Sequence, residues 1–141
     1  MNGQGTEKLS QWLLSPWTDI TPKGDTYYTL EGIDPILNYE KNLRHSAQAY
    51  AGKNNMKNPL ISPIYADYSK GFPKTLIHIG TREIFMSNAA RLQKKMLDEN
   101  VDVYLRLWEG MWHVFQYVPR LTREAQEAYT ELAKFFDDNL K

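Results

Sequence analysis

Apolar positions along this chain fall into a few short blocks, separated by polar stretches rich in Pro, Gly, Thr and Asp. The first block, Trp12-Leu13-Leu14, is stopped by Ser15-Pro16. A run that short, ended by proline, predicts a buried strand. Residues 16–38 carry no periodicity and read as a long loop. Tyr39, Leu43, Ala47 and Tyr50 then recur at helical spacing. With Asn38 as N-cap, Glu40 in the first turn and Gly52 as terminator, they predict a helix over Tyr39–Ala51. A second long connection, 53–73, contains Pro59, Pro63 and Pro73. The continuous run Thr75-Leu76-Ile77-His78-Ile79, closed by Gly80, predicts a second buried strand. Ala89, Leu92 and Met96 give one face of a helix over Ser87–Asn100. Val101, Val103, Leu105 and Leu107 alternate with Asp102, Tyr104 and Arg106, which predicts a third strand to Trp108 with one less buried face. Finally Leu121, Ala125, Ala128, Leu132, Phe135 and Phe136 mark the core face of a helix over Thr122–Leu140.

Strands separated by helices imply a parallel sheet with right-handed crossovers, hence the α/β class. Three strands are few for a parallel sheet, which normally needs several strands and cover on both faces. The pattern therefore predicts part of an open α/β sheet, about three parallel strands flanked by helices, with no evident neighbour for the outer edge of the first strand.

Composition narrows the function classes. In 141 residues, 42% apolar and 24% charged content argues for a globular chain over a disordered one. The 17 basic and 17 acidic residues cancel, so nothing points to nucleic acid or an anionic membrane surface. There are no cysteines, which removes disulfides, cysteine nucleophiles and thiolate metal sites. No apolar run approaches the roughly 20 residues a membrane span needs. The start, Met1–Ser10, is polar and lacks a signal-peptide core. A flexible tail over 1–9, a domain over 10–141 and a cytoplasmic setting are the expectations.

In open parallel sheets functional groups collect in loops at the carboxyl ends of strands. Gly80-Thr81-Arg82-Glu83 follows the second strand, and Glu109-Gly110-Met111-Trp112-His113 follows the third. If the two strands are neighbours, Glu83 and His113 emerge at one edge. A carboxylate on imidazole Nδ1–H fixes the tautomer and stabilises the imidazolium, the acid–base half of a serine-hydrolase triad. An acid and a histidine near strand ends are also common as structural residues. His78, inside a strand, reads as a packed, hydrogen-bonded core residue, and His45 as exposed. No metal-ligand spacing is present, so no metal is expected. Asp98, Glu99, Lys94 and Lys95 read as a solvated helix face. Trp108, Trp112, Phe115 and Tyr117 either line an apolar pocket or simply pack.

The stretches Leu14-Ser15-Pro16-Trp17-Thr18-Asp19, Asn58-Pro59-Leu60-Ile61-Ser62-Pro63-Ile64-Tyr65-Ala66-Asp67 and Trp108-Glu109-Gly110-Met111-Trp112-His113-Val114-Phe115 closely resemble, in consistent order, the carboxyl-terminal half of the hormone-sensitive-lipase family of α/β-hydrolases. The resemblance implies a partial α/β-hydrolase fold and hydrolysis of carboxylic esters. By it, His113 corresponds to the catalytic histidine. Many members have Asp where this chain has Arg82; a subgroup uses Glu one residue later, which is Glu83 here. Asp34-Pro35 resembles a structural motif, and 24–58 the region that forms cap and pocket. Trp17, Trp112 and Phe115 are the candidate substrate-binding residues. The family's Gly-x-Ser-x-Gly elbow and HGGG-type oxyanion loop are absent, and Ser10, Ser15, Ser46, Ser62, Ser69 and Ser87 lack elbow context. The expectation is thus a portion that supplies histidine and acid, inactive alone, without a cofactor, acting on an ester substrate in the complete enzyme. It would form a homo-oligomer or require the missing amino-terminal half. The alternative is a non-catalytic α/β domain that works by self-association or partner binding.

Overall fold

The computed structural model describes residues 9–140. Of the expected tail only Leu9 falls within them; the rest lies outside the described residues. Three strands, β1 (Ser10–Leu14), β2 (Lys74–Gly80) and β3 (Val103–Trp108), form one parallel sheet in the order β1-β2-β3. Among the described residues four α-helices accompany them: α1 (Thr26–Thr29), α2 (Arg44–Ala51), α3 (Met86–Asp98) and α4 (Arg123–Asn139).

One sheet face carries the main core. Ile77 and Ile79 of β2 and Val103 of β3 pack with Leu92 and Met96 of α3, and with Tyr27, Tyr39 and Phe85 from the connections. β2, central and covered on both faces, reads as an unbroken apolar run for that reason. The opposite face presents Trp12, His78 and Trp108 to α4 and the segment before it. β1 is half-buried throughout, where a buried strand was expected, because no strand pairs with its outer edge among the described residues.

Several boundaries shift for local reasons. The helix expected over Tyr39–Ala51 opens with a π-helical turn, Tyr39–Leu43, before α2. Asn38 caps it as expected, its side chain accepting from the Lys41 amide at 2.7 Å. The buried stripe then runs Leu43, Ala47, Ala51 in steps of four. The two alanines let α2 lie close on Ile20, and Tyr50, expected on this face, is exposed. α3 ends at Asp98 in a Schellman motif: Asn100 takes a left-handed φ of 63°, its amide bonding the Leu97 carbonyl and the Val101 amide the Met96 carbonyl. Val101 therefore precedes β3, yet stays buried. Leu107, expected inward, is exposed on the edge strand β3, and Leu121 lies outside α4, which starts after its Thr122 cap.

His78 is fully buried between Trp12 and Trp108. Its Nε2 lies 3.3 Å from Glu131 of α4, but neither ring nitrogen makes a hydrogen bond, contrary to the expected hydrogen-bonded histidine. The other oxygen of Glu131, Oε1, pairs with Arg106 at 2.6 Å. Desolvation, with Arg106 adding to it, pushes the His78 pKa down to about 4. Glu99 is not simply solvated either; it accepts the Tyr68 amide at 2.6 Å and pairs with Lys95. At the amino end of the strands a groove of about 530 Å³ opens between sheet and α4, lined by Lys74, Tyr104 and Phe135 among others.

Candidate active site

β2 and β3 are neighbours, with Gly80 in register with Trp108. The loops that follow them are sewn together by backbone bonds. The Thr81 amide bonds the Trp108 carbonyl at 3.0 Å, the Arg82 amide bonds the Met111 carbonyl at 3.0 Å, and the Gly110 amide bonds the Thr81 hydroxyl at 2.9 Å. This closeness is why position 80 is glycine: a Cβ there would stand 2.1 Å from the Met111 carbonyl oxygen.

The arrangement delivers Glu83 to His113. Glu83 is fully buried, and its Oε2 lies 3.2 Å from His113 Nδ1. Its other oxygen, Oε1, accepts the Ser15 hydroxyl at 2.9 Å and the Gly80 amide. One carboxylate oxygen is held by the frame and the other is left for the imidazole. That partition orients the imidazole and favours an Nδ1–H tautomer, leaving Nε2 free to exchange a proton with a reacting group. The His113 side chain is 20% exposed. Its ring meets Phe85 edge-on at 5.3 Å, and Phe85 stacks on Trp17 at 5.4 Å. Trp17 is in turn fixed by its indole N–H, which donates to the Tyr27 hydroxyl at 2.8 Å and to the Asp19 carbonyl at 3.1 Å.

Behind the site, Asp34 is buried and accepts the amides of Ile36 and Leu37 on one oxygen and that of Ile84, next to Glu83, on the other at 2.9 Å. Asp19 is fully buried and paired with Arg91 at 2.7 Å. Burial raises its pKa, but the Thr21 hydrogen bonds and the Arg91 guanidinium outweigh this and hold the carboxyl below its usual range.

The other sequence-selected residues divide. Trp17 joins the aromatic row leading to His113. Trp112 is half-buried and packs beside Phe115. Phe115, chosen as a substrate-binding residue, is fully buried under Ala125 and Ala128 of α4; it seats the helix and has no open surface. Tyr117 is exposed, apart from any cluster. Arg82 is exposed, one residue from the carboxyl that meets the histidine. Three residues escaped sequence reasoning. Phe85 was hidden in a loop. Asn88, which binds the amides of Thr18 and Asp19 at 3.1 and 2.8 Å, shows only as a polar residue beside the apolar stripe of α3. Ser15 carries the signal of a serine at a strand's carboxyl end. Among the described residues no group of three or more His, Cys, Asp or Glu is placed to hold a metal ion, and no helix is long and apolar enough to cross a membrane.

Comparison with known proteins gives this geometry its setting. Residues 2–117 match the α/β-hydrolase fold family. An esterase of Acinetobacter venetianus is 29% identical over 124 residues, 87% of this chain and 40% of the relative. An acetyl-hydrolase of Streptomyces hygroscopicus is 28% identical over 115 residues, 82% of this chain and 38% of the relative. Among solved structures, an esterase superposes with a TM-score of 0.87 at 33% identity, covering 94% of this chain and 40% of that one. A homologue of hormone-sensitive lipase from a metagenome library gives 0.89 at 31%, covering 94% and 45%. The chain thus spans about two fifths of the length of the relatives it matches. With its partial parallel sheet and its likeness to these esterases, the chain belongs to the α/β-hydrolase fold family and resembles the carboxyl-terminal half of its hormone-sensitive-lipase-like members.

Proposed function

We propose that this chain is the histidine- and acid-bearing part of a carboxylic ester hydrolase, with His113 as general base and acid and Glu83 as the residue that orients it. The observation that carries the reading is the 3.2 Å approach of Glu83 Oε2 to His113 Nδ1 at the carboxyl edge of the sheet. In the complete enzyme a serine hydroxyl attacks the ester carbonyl while His113 Nε2 takes its proton. The tetrahedral intermediate collapses, the C–O bond to the alcohol breaks, and His113 returns the proton to the leaving oxygen. Water then repeats the sequence on the acyl-enzyme, releasing the acid and the serine. Residues 24–58 contribute to the cap and pocket region, and Trp17 and Trp112 flank the substrate; the setting is cytoplasmic.

The nucleophile belongs to an elbow that this sequence does not contain, so the 141-residue chain alone is expected to be inactive. A p-nitrophenyl acyl ester tests this: turnover that a serine-directed phosphonate abolishes would overturn the inactive-alone reading. In an uninterrupted enzyme carrying this segment, Glu83→Gln should cost several orders of magnitude, and His113→Ala at least as much; near-normal rates would remove both residues from the mechanism.

One feature favours a second reading, a non-catalytic domain working by association. The outer edge of β1 has no partner strand among the described residues, and such edges recruit other chains. Sedimentation as a monomer at tens of micromolar would count against it.

A further inference from the structure

We infer that Ser15 is a positioning residue whose hydroxyl sets the distance between the Glu83 carboxylate and the His113 imidazole. The inference rests on the proposed role of that pair. Ser15 ends β1, and its amide bonds the His78 carbonyl at 2.9 Å, so its backbone is locked to the centre of the sheet. The side chain is buried, 3% exposed, in a left-handed conformation with φ 45°. A non-glycine residue holds such a backbone only where its surroundings over-determine it.

The surroundings here are the two loops of the site. The Ser15 oxygen accepts the Val114 amide at 3.0 Å, next to His113, and its hydroxyl donates to Glu83 Oε1 at 2.9 Å. Accepting from the amide leaves the hydroxyl proton free to point at the carboxylate, which has no proton to offer in return. The bridge therefore has one polarity, running from the histidine loop through Ser15 to the acid. Val114 is itself left-handed, φ 48°, an unfavourable state for a β-branched residue. Without the amide bond to Ser15 this turn relaxes and carries the imidazole off Glu83. A serine at the end of a different strand thus clamps acid and base together, although it lies far from both in sequence.

The test uses the intact chain and no activity. Long-range 1H–15N correlation of the ring of neutral His113 reports which nitrogen carries the proton. The wild-type ring should be mainly Nδ1–H, held there by Glu83. Ser15→Gly removes the hydroxyl and suits the left-handed backbone; the ring should revert to mainly Nε2–H while the amide spectrum stays dispersed. Should Ser15→Gly unfold, Ser15→Cys, with its weak thiol donor, carries the same expectation. If Glu83→Ala reverts the ring and the hydroxyl-deleting variants do not, the Ser15 role is overturned and the Glu83–His113 pair stands. If the wild-type ring is mainly Nε2–H, the pair itself is overturned, and Ser15 with it.

Discussion

Replacing Gly80 with alanine probes the tightest joint of the molecule. The added Cβ would stand 2.1 Å from the Met111 carbonyl oxygen and 2.5 Å from its carbon, with Glu83 Oε1 at 3.2 Å. Separations under 3.0 Å are not tolerated by real Cβ atoms, so the backbones of the two loops must part by about 0.9 Å. Neither can yield cheaply, because Gly80 sits in the β2 ladder and the Met111 carbonyl already accepts the Arg82 amide. Overpacking of this kind costs about 1–3 kcal/mol. With a urea m-value of about 2 kcal/mol/M, the unfolding midpoint should fall by roughly 0.5–1.5 M. The control is Gly32→Ala, where a Cβ meets nothing within 4 Å but φ is 78°; backbone strain alone predicts about 1 kcal/mol there. Urea denaturation followed by tryptophan fluorescence reads both. A Gly80→Ala midpoint within roughly 0.2 M of wild type, less than half the smallest shift expected, would falsify the claim that the two loops are wedged together at this glycine. In an active enzyme the same displacement should cost on the order of 100-fold in turnover, the usual penalty for about 1 Å of misplacement.

Other expectations follow from the same geometry. The pKa of His78 is about 4 in the fold against 6.5 for the free group. The unfolded chain thus takes up a proton the folded one refuses, and stability is lost as pH falls from 6.5 towards 4. The loss should approach about 3 kcal/mol; His78→Leu should flatten that part of the pH profile, and an unchanged slope between pH 7 and 4.5 would contradict it. Arg91→Ala strands the buried Asp19 carboxylate and should destabilise by about 2–4 kcal/mol at pH 7; a loss under about 0.5 kcal/mol, the range of ordinary surface changes, would show the pair to be unimportant. Phe115→Ala should cost about 3–5 kcal/mol and loosen α4, whereas Tyr117→Ala, at an exposed position, should stay within about 0.5 kcal/mol; equal effects would mean that Phe115 does not seat the helix.

The strongest periodicities were the most legible. β2, α3 and α4 stand out because an unbroken apolar run or a repeated i, i+3, i+4 stripe leaves few alternatives, and the approach of Glu83 to His113 follows from strand order once β2 and β3 are neighbours. What stayed hidden depends on tertiary contact. The π-helical turn at Tyr39–Leu43 leaves no mark in the spacing, and Tyr50 turns outward because the alanines of α2 rest on Ile20, a tertiary contact that spacing does not encode. Phe115 looked like a pocket residue because an aromatic beside a histidine carries no information on which side of the backbone α4 will cover. Ser15 has no elbow context, and its hydroxyl instead joins two loops through partners 68 and 99 residues away. No local pattern encodes such a join.

The groove between Lys74, Tyr104 and Phe135 has a practical meaning. Its Lys74 end flanks the start of β2, whereas Glu83 follows the strand's far end. Seven extended residues put about 20 Å between them. A fluorophore, an affinity tag or a surface tether attached at the Lys74 end of this groove would report on or immobilise the molecule while leaving the Glu83–His113 pair mechanically undisturbed.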